Sequence, residues 1–339
     1  MKNNDKHFMK LAIKEAKKAG NDVFPNPKVG CLIVKDGKVV SKGFHKRFGG
    51  RHAEQIAIDN LPQNITKTTM YVTLEPCAHK GKTNPCIDLI DPSIINRVVI
   101  SSLDPNPSAT GGINAILNKK ISVTKNVCKI KSKKINQRFF TYHEKKRPYI
   151  IIKAALTLDG FIAESNGVSK WITNEKSRQS VHFLRSSCDA ILIGNKTAII
   201  DNPSLDSHGK GKDPIPVIID RSKSMKKSLK IFKKNPIILS SDILNNKPVD
   251  NVKIILDELY KRNIQSVLVE GGGFTITHFL DSGFFDELHL YYAPKFLGSG
   301  LSIFNSIKSI KDSSNLVLKK VDKFNNDFRV IYKLSLIHI

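Results

Sequence analysis

Apolar and polar residues alternate along the chain with either the two-residue period of a strand or the longer period of a helix. These periods predict the elements of secondary structure. Alternation over residues 29–34 meets the Asp36-Gly37 turn and returns over 38–44, which predicts a β-hairpin. A helical period opens the chain, so we expect an amphipathic helix capped by Asp5 and ending at Gly20. The rest of this half predicts helices at 52–60, 86–90 and 112–117, with strands at 70–74, 97–101 and 121–127.

The second half repeats an α/β pattern after a basic segment. Residues 129–147 are rich in Lys and Arg, and we interpret them as a helical connector that ends near Pro148. We therefore expect two domains, 1–147 and 148–339. After the connector the pattern predicts strands at 149–156, 190–193, 216–219, 236–239, 266–269 and 287–293, helices at 174–186, 252–262 and after Gly273, and a hairpin over 316–334.

Composition narrows the class of protein. Of 339 residues, 40% are hydrophobic, which is enough to bury two cores, and no run of 18 apolar residues predicts a membrane span. The five cysteines are odd in number and irregularly spaced, which favours metal-binding or buried thiols in a reducing compartment over disulfides. The first twenty residues lack the apolar core of a signal peptide, so we expect a cytoplasmic protein without a membrane partner.

The formal net charge of +25 raises the question of nucleic-acid binding. The basic residues are 45 lysines and 10 arginines, and they are scattered. Because phosphate and base recognition favours the arginine fork, we attribute most of this charge to solvated faces and expect no nucleic-acid partner. The charge would still attract an anionic, phosphorylated substrate.

Four residues of the first half form the pattern of a zinc site. His52 and Glu54 open a predicted helix, Cys77 follows a strand in Leu-Glu-Pro-Cys, and Cys86 opens a helical turn after Pro85. One imidazole and two thiolates are a sound ligand set for tetrahedral Zn²⁺ with one position left for water. Glu54 is placed to shuttle a proton, as in the zinc deaminases. The alternative is that these residues bind no metal, the two cysteines being buried thiols and the histidine a surface residue. The combination of both motifs argues against this alternative.

The insert between the two cysteines points to a particular family. Eight residues separate Cys77 and Cys86, and this insert, together with the motifs at 25–30 and 104–107, resembles the bifunctional riboflavin-biosynthesis family, a diaminohydroxyphosphoribosylaminopyrimidine deaminase fused to a 5-amino-6-(5-phosphoribosylamino)uracil reductase. The resemblance implies a cytidine-deaminase-like three-layer domain. It also implies that the substrate is held by Asn26, His45, Lys82, Asp104 and Asn106. For His79 we favour support of a phosphate or of the loop over zinc ligation.

The second half is similar to the reductase part of the same family, which has a dihydrofolate-reductase-like α/β fold. The matching stretches include 153–160, 171–173, 184–185, 188–197, 201–203 and 269–273. The resemblance implies NADPH as cofactor, a homo-oligomer formed through the reductase domain, and anion binding by Lys153 and Arg185. It implies substrate or cofactor contacts at Ala155, Trp171, Thr173, Thr197, Asp201, Leu205, His208, Glu270, Gly271, Gly272 and Gly273.

The glycine run and His208 each have a second physical interpretation. The run Gly271–Gly273 between a strand and a helix lets backbone N–H groups approach a pyrophosphate, but a tight turn alone explains it equally well. His208 stands where the family commonly has arginine, and an imidazole is a weaker, pH-dependent phosphate partner. Either Lys210 or Lys212 compensates, or the reductase binds its substrate less tightly.

The resemblance implies a bifunctional enzyme that deaminates a phosphoribosylaminopyrimidine and then reduces the ribosyl group of the product with NADPH. A second hypothesis is a zinc-dependent nucleic-acid base deaminase with an accessory domain, which would need an aromatic cleft for a flipped base. A third is a zinc-stabilised nucleic-acid-binding protein, which would close its site with a fourth ligand and leave Glu54 without a role.

Overall fold

The computed structural model describes residues 2–79, 84–304, 306, 311, 313 and 315–334. The chain divides into two compact units, Met1–Lys145 and Lys146–Ile339. In the described residues, no helix has the length and apolar character that crossing a bilayer requires.

The first unit is built on a five-stranded sheet in the order β2-β1-β3-β4-β5. Strand β1 pairs antiparallel with β2 and with β3, whereas β3, β4 and β5 run parallel. The strands are β1 (Gly30–Lys35), β2 (Lys38–Phe44), β3 (Thr68–Leu74), β4 (Ile95–Ser102) and β5 (Ser122–Thr124). The helices are α1 (Lys2–Ala16), α2 (Ala53–Asp59), α3 (Cys86–Leu89), α4 (Gly112–Asn118), α5 (Lys129–Ile135) and α6 (Gln137–Lys145).

Alternate residues of these strands face two different helix layers, because strand side chains point to opposite faces in turn. Ile33 and Val72 pack with Ala57 of α2 and Ile116 of α4 in one core. On the opposite face, Leu32 and Tyr71 pack with α1, as do Val34 and Val99. The unit is therefore a helix–sheet–helix sandwich.

The basic segment 129–147 contains two helices that pack on the first sheet. Ser132 of α5 donates a hydrogen bond of 2.6 Å to the Thr73 carbonyl. Asn136 exchanges two hydrogen bonds with the backbone of Lys28, and Phe140 of α6 packs against Leu74. This segment stabilises the strand ends that carry the first site.

The prediction for the opening helix was wrong in detail. Helix α1 begins at Lys2 and ends at Ala16, so Asp5 lies inside its first turn rather than at a cap. The Asp5 carboxylate instead accepts hydrogen bonds from the Tyr71 hydroxyl and, in a fork, from the Arg97 guanidinium. Burial acts to raise the pKa of Asp5, but these partners lower it below its usual range. The residue ties α1 to the sheet across a long sequence separation.

The second unit contains an eight-stranded sheet in the order β10-β9-β8-β11-β6-β12-β15-β14. Its strands are β6 (Tyr149–Thr157), β8 (Ala190–Gly194), β9 (Ile215–Ile219), β10 (Ile237–Leu239), β11 (Ser266–Gly271), β12 (Glu287–Ala293), β14 (Leu316–Phe324) and β15 (Asp327–Leu334). The six strands from β10 to β12 are parallel, and β15 and β14 add an antiparallel hairpin. Two short strands, β7 (Phe161–Ala163) and β13 (Leu301–Ser302), pair with each other.

Helices cover both faces of this sheet, as buried parallel strands require. Helices α9 (Pro248–Lys261) and α10 (Gly273–Ser282) pack on one face through Leu256 and Ile276. On the other face, Leu184 of α7 (Glu175–Ser186) and Ala198 of α8 (Asn195–Asp201) pack with Ile151 and Leu268. The pattern of the sequence predicted α7, α9 and α10, but it gave no signal for α8, β7 or β13.

Candidate functional site

The strand directions of the first sheet bring four loops to one edge. Strands β3 and β4 are parallel, so Cys77 and Asp104, which follow them, lie at the same edge. Strand β1 is antiparallel to β3 and begins at this edge, just after Asn26, and β2 ends there before His45. Residues far apart in sequence are therefore gathered where ligands commonly bind in α/β proteins.

Helix α2 completes the site because its first turn points at the same edge. His52 occupies the N-cap position and Glu54 lies in the first turn. The helix sits close to β2, since a Cβ on Gly43 would come within 2.4 Å of the Ala53 carbonyl oxygen. Glycine at this position permits the close approach that fixes the start of α2.

Three side chains that could serve as metal ligands converge at this edge. His52 Nδ1 lies 3.1 Å from Cys86 Sγ and 3.6 Å from Cys77 Sγ, and the three ligand atoms all lie within 4.8 Å of one another. These separations suit one ion bound at about 2.0–2.3 Å from each donor, and the donor set is that of a catalytic zinc site. The His/Cys/Cys set predicted from the sequence is therefore brought together.

Electrostatics favour proton transfer at this point. Burial raises the pKa of Glu54 to about 7, and the Cys77 thiolate acts in the same direction while His52 opposes it. The pKa of Cys77 falls to about 4, chiefly because its thiolate accepts a hydrogen bond from Cys86 and also one from His52. A carboxyl group that titrates near neutrality suits a general acid and base.

A cavity opens beside Glu54, His52 and Cys77, and most of the predicted pyrimidine-binding residues line it. Asn26 Nδ2 lies 3.1 Å from His45 Nε2, and His45 Nδ1 lies 3.0 Å from the Arg51 carbonyl oxygen. Asp104, Asn106 and His79 also line the cavity. Lys82, the expected phosphate partner, lies outside the described residues.

In the second unit, three predicted residues form a buried charged cluster. Lys153 and Glu270 lie on the face of the sheet that α7 covers. Arg185, in the last turn of α7, donates to both Glu270 oxygens at 2.9 and 2.8 Å. Burial acts to raise the pKa of Glu270, but Arg185 and Lys153 lower it to about 2. Burial lowers the pKa of Lys153, and Arg185 adds to this effect.

Other predicted residues of the reductase half lie in two smaller groups. The Trp171 ring stacks under the Arg178 guanidinium, which donates a hydrogen bond to the Thr173 carbonyl. At the carboxyl end of β11, Gly272 precedes α10 and approaches Thr197, whose hydroxyl would lie 2.9 Å from a Cβ on this glycine. Gly271 has a φ of +141° that favours glycine, and Gly273 begins α10.

The remaining predicted positions lie on or near the same helices. Ala155 follows Lys153 on one face of β6, Asp201 ends α8, and Leu205 is buried in the core beside α7. His208 is about half exposed, and its Nε2 lies 3.0 Å from Asp206 Oδ1. Its ring is centred 4.0 Å from that of His182.

Sequence reasoning missed two residues of these sites. Glu75 lines the first cavity, and its carboxylate bonds two backbone N–H groups; its place in the Leu-Glu-Pro-Cys motif was the available signal. His182 faces His208, and its buried Nδ1 has no hydrogen-bond partner among the described residues. Burial lowers the pKa of His182 to about 4, as do His208 and Arg185. No pattern in the sequence marked it.

Comparisons with known proteins decide the family. Residues 148–330 match the RibD C-terminal domain, and residues 2–102 match the cytidine and deoxycytidylate deaminase zinc-binding region. The riboflavin biosynthesis protein RibD of Aquifex aeolicus is 40% identical over 97% of this chain and 98% of its own length. The chain belongs to the RibD family. RibD of Escherichia coli is 31% identical over 94% of the chain and 96% of its own length.

Solved structures of the RibD family have the same fold along the whole chain. A diaminohydroxyphosphoribosylaminopyrimidine deaminase/5-amino-6-(5-phosphoribosylamino)uracil reductase of Thermotoga maritima superposes with a TM-score of 0.86 at 38% identity, covering 98% of this chain and 99% of its own. Acinetobacter baumannii RibD gives 0.87 at 31% identity, covering 99% and 100%.

These matches confirm the expected architecture and class of function. The first half has a cytidine-deaminase-like fold, the second is the dihydrofolate-reductase-like RibD domain, and the chain is a bifunctional enzyme of riboflavin biosynthesis. Its cofactors are zinc for the deaminase and NADPH for the reductase. The hypothesis of a nucleic-acid-binding protein without catalysis is wrong.

Proposed function

We propose that residues 1–147 deaminate 2,5-diamino-6-(5-phosphoribosylamino)pyrimidin-4(3H)-one and that residues 148–339 reduce the ribosyl group of the product. The observation that carries the proposal is the convergence of His52, Cys77 and Cys86 next to a cavity that buried Glu54 lines. The Thermotoga maritima relative, which carries the names of both activities, supports the choice of substrate.

His52, Cys77 and Cys86 would hold the zinc. Bound zinc supplies the activation of a water molecule, because it lowers the pKa of that water toward neutrality. Glu54 accepts the proton released by the water and delivers it to the departing amine, and its pKa of about 7 suits both steps. Burial of Glu54 also keeps bulk water from competing for this proton.

The pyrimidine is recognised by polar groups around the cavity. Asn26 offers a donor and an acceptor to the heterocycle edge, and its contact with His45 fixes its orientation. Asp104 and Asn106 extend this polar wall, since the Asp104 carboxylate accepts the Asn106 backbone N–H at 2.8 Å. Lys82 remains our proposal for the phosphate partner, and His79 for support of its loop.

In the reductase half, bound NADPH supplies the hydride. Lys153 and Arg185 provide positive charge for the anionic substrate, while the fork between Arg185 and Glu270 fixes the carboxylate beside the cofactor site. The glycines of the turn before α10 let backbone N–H groups approach the pyrophosphate of the cofactor, and Thr197 lies beside Gly272. Trp171, Thr173, Ala155, Asp201 and Leu205 complete the proposed contacts, and His208 is the weaker phosphate partner.

The deaminase assignment is tested by Glu54→Gln in the zinc-loaded full chain. We expect deamination to fall by about a hundredfold or more because the proton carrier is lost. Zinc content should be unchanged, as should NADPH-dependent reduction when the deaminated product is supplied directly. The substrate and products are resolved by mass, with and without NADPH. Asp59→Asn, in the exposed last turn of the same helix, is the matched control. Normal deamination by Glu54→Gln would contradict the role of Glu54.

We further propose that the enzyme is cytoplasmic and forms a homo-oligomer through its reductase half. Among the described residues the structure forms no disulfide, and the two cysteine ligands, Cys77 and Cys86, need reduced thiols to bind metal. The edge strand β14 supports oligomerisation, because it exposes Leu316, Leu318 and Val321. Exposed apolar edge strands are normally paired or covered.

A further inference from the structure

Glu75 links two parts of the deaminase site through backbone contacts. It follows the last residue of β3 and precedes Cys77 by two positions, and it is 8% exposed. Its own N–H donates to the Ser102 carbonyl at the end of β4. The side chain therefore lies between the two strand ends that carry the metal ligand Cys77 and the cavity residue Asp104.

The carboxylate uses both oxygens on the segment that follows β4. Oε2 accepts the Asp104 N–H at 3.3 Å, and Oε1 accepts the Ile113 N–H at 3.1 Å. Asp104 in turn accepts the Asn106 N–H, and the Asn106 side chain accepts the Ser108 N–H. One buried carboxylate thus holds both ends of segment 104–113, which presents Asp104 and Asn106 to the cavity.

Close packing leaves this arrangement little freedom. A Cβ on Gly112 would lie 2.0 Å from the Pro76 carbonyl oxygen and 3.2 Å from Glu75 Cγ. The start of α4 is therefore in contact with the loop that leads to Cys77. A buried carboxylate that loses its N–H partners, or N–H groups that lose their acceptor, would leave polar groups unsatisfied. The segment is held in one place relative to the ligand loop.

We propose that Glu75 is a positioning residue for deamination, acting through Asp104 and Asn106 on the binding of the pyrimidine. The proposal rests on the proposed function of the first unit. Glu75 does not itself touch the reacting atoms in this role: it fixes the distance between the wall that recognises the heterocycle and the zinc-ligand loop. Its loss should therefore weaken substrate binding more than it slows the chemical step.

The test uses the zinc-loaded full chain carrying Glu75→Ala and, separately, Glu75→Gln. We expect Glu75→Ala, which removes both hydrogen bonds, to raise KM for the diaminopyrimidine phosphate about tenfold or more, with kcat changed less than about threefold. Glu75→Gln keeps one acceptor oxygen, so its KM should lie between those of the wild type and Glu75→Ala. Zinc content and reductase activity should stay at wild-type values.

Two further variants separate the possible outcomes. Asp91→Asn alters an exposed carboxylate that also accepts a backbone N–H in the same unit, and it should change nothing. Asp104→Ala should raise KM at least as much as Glu75→Ala. If the wild type does not turn over this pyrimidine, the proposed function of the first unit fails, whatever Glu75 does. If the wild type is active but Asp104→Ala leaves KM unchanged, the binding role of Asp104 is wrong, and with it the route through which Glu75 acts.

Given an active wild type and a sensitive Asp104, three results would overturn the positioning role. KM unchanged in both Glu75 variants would show that the segment holds its place without the carboxylate. A fall in kcat alone, with zinc retained, would place Glu75 at the reacting atoms. Loss of zinc would make it a support of the ligand loop. If Glu75→Ala does not fold, Glu75→Gln and its KM decide the same question.

Discussion

In the reductase half, three charged residues lie together and are largely shielded from solvent: Arg185, Glu270 and Lys153. The fork from Arg185 to Glu270 joins side chains that are 15% and 8% exposed. A buried carboxylate of this kind is stable as the anion only while its cationic partners are present. The cluster therefore links the position of a proposed site residue to the stability of the unit.

Glu270→Gln should remove a pH-dependent part of this stability. The pKa of Glu270 falls from 4.5 to about 2 in the folded protein, so its contribution is present above pH 4.5 and is lost as the pH falls toward 2. We expect the variant to be destabilised by about 3 kcal/mol at neutral pH, because Arg185 keeps a buried, unpaired charge. The difference between variant and wild type should shrink below pH 4.5.

The measurement is denaturant unfolding of the full chain at several pH values, followed by tryptophan emission. Trp171 is the single tryptophan of the chain and lies in the second unit, so its signal reports this unit. Glu258→Gln removes a partly exposed helix pair with Arg262 and should cost less than about 1 kcal/mol. If the difference in the free energy of unfolding between wild type and Glu270→Gln stays constant with pH, the ionised Glu270 carboxylate does not contribute to stability in this way.

Among the elements, helix α2 and strand β2 show how backbone packing determines the position of the side chains of a site. His52 at the N-cap of α2 and the Glu54 carboxylate in its first turn are held by the contact between Gly43 and the helix backbone. A side chain at this position has no space to move into, because its nearest neighbours are backbone atoms of Ala53 and Ala57. The geometry of the zinc site depends on that contact.

Gly43→Ala should therefore shift helix α2 and weaken the zinc site, although Gly43 is not itself a residue of that site. We expect a loss of about 1–3 kcal/mol in stability, as for overpacked cores, together with weaker zinc retention and slower deamination. Zinc content, deaminase rate and the free energy of unfolding are measured together. Gly20→Ala is the matched control, since a Cβ there meets nothing within 4 Å. Wild-type zinc retention in Gly43→Ala would show that α2 tolerates a shift.

At the scale of the whole molecule, the two units have separate sheets and separate hydrophobic cores. The first unit lines one cavity with most of its predicted site residues. The second unit divides its predicted residues among the cluster of Lys153, Arg185 and Glu270 and smaller groups. The second unit also has an edge strand, β14, whose side chains are mostly exposed. The proposed homo-oligomer would cover this strand, so substitutions in β14 can test the oligomeric state.

Leu318→Lys combined with Val321→Lys should lower the molecular mass in solution to that of one chain. Lysine at an edge strand opposes pairing with another copy because both charges would need burial. Light scattering coupled to size exclusion measures the mass of the wild type and the variant. Val249→Lys changes an exposed apolar residue at the start of α9 and should leave the mass unchanged. A monomeric wild type would contradict the proposed oligomer.

The sequence by itself predicted most of the elements and the three side chains that could hold a metal. Alternation defined β1 and β2, and short motifs at strand ends and helix starts marked His52, Glu54, Cys77 and Cys86. These signals are local: the period of an apolar face, or a residue type that a metal requires. They could be read because each depends on a few neighbouring positions.

Only the tertiary structure decided which distant residues support the site. Glu75 meets the N–H of Ile113, 38 positions away, Asp5 meets Arg97, and His182 meets His208. Nothing local distinguishes such residues from solvated ones, because their partners are chosen by strand order and helix packing. The direction of β1 to β4 brought four loops to one edge, and that arrangement of the chain turned separate motifs into a site.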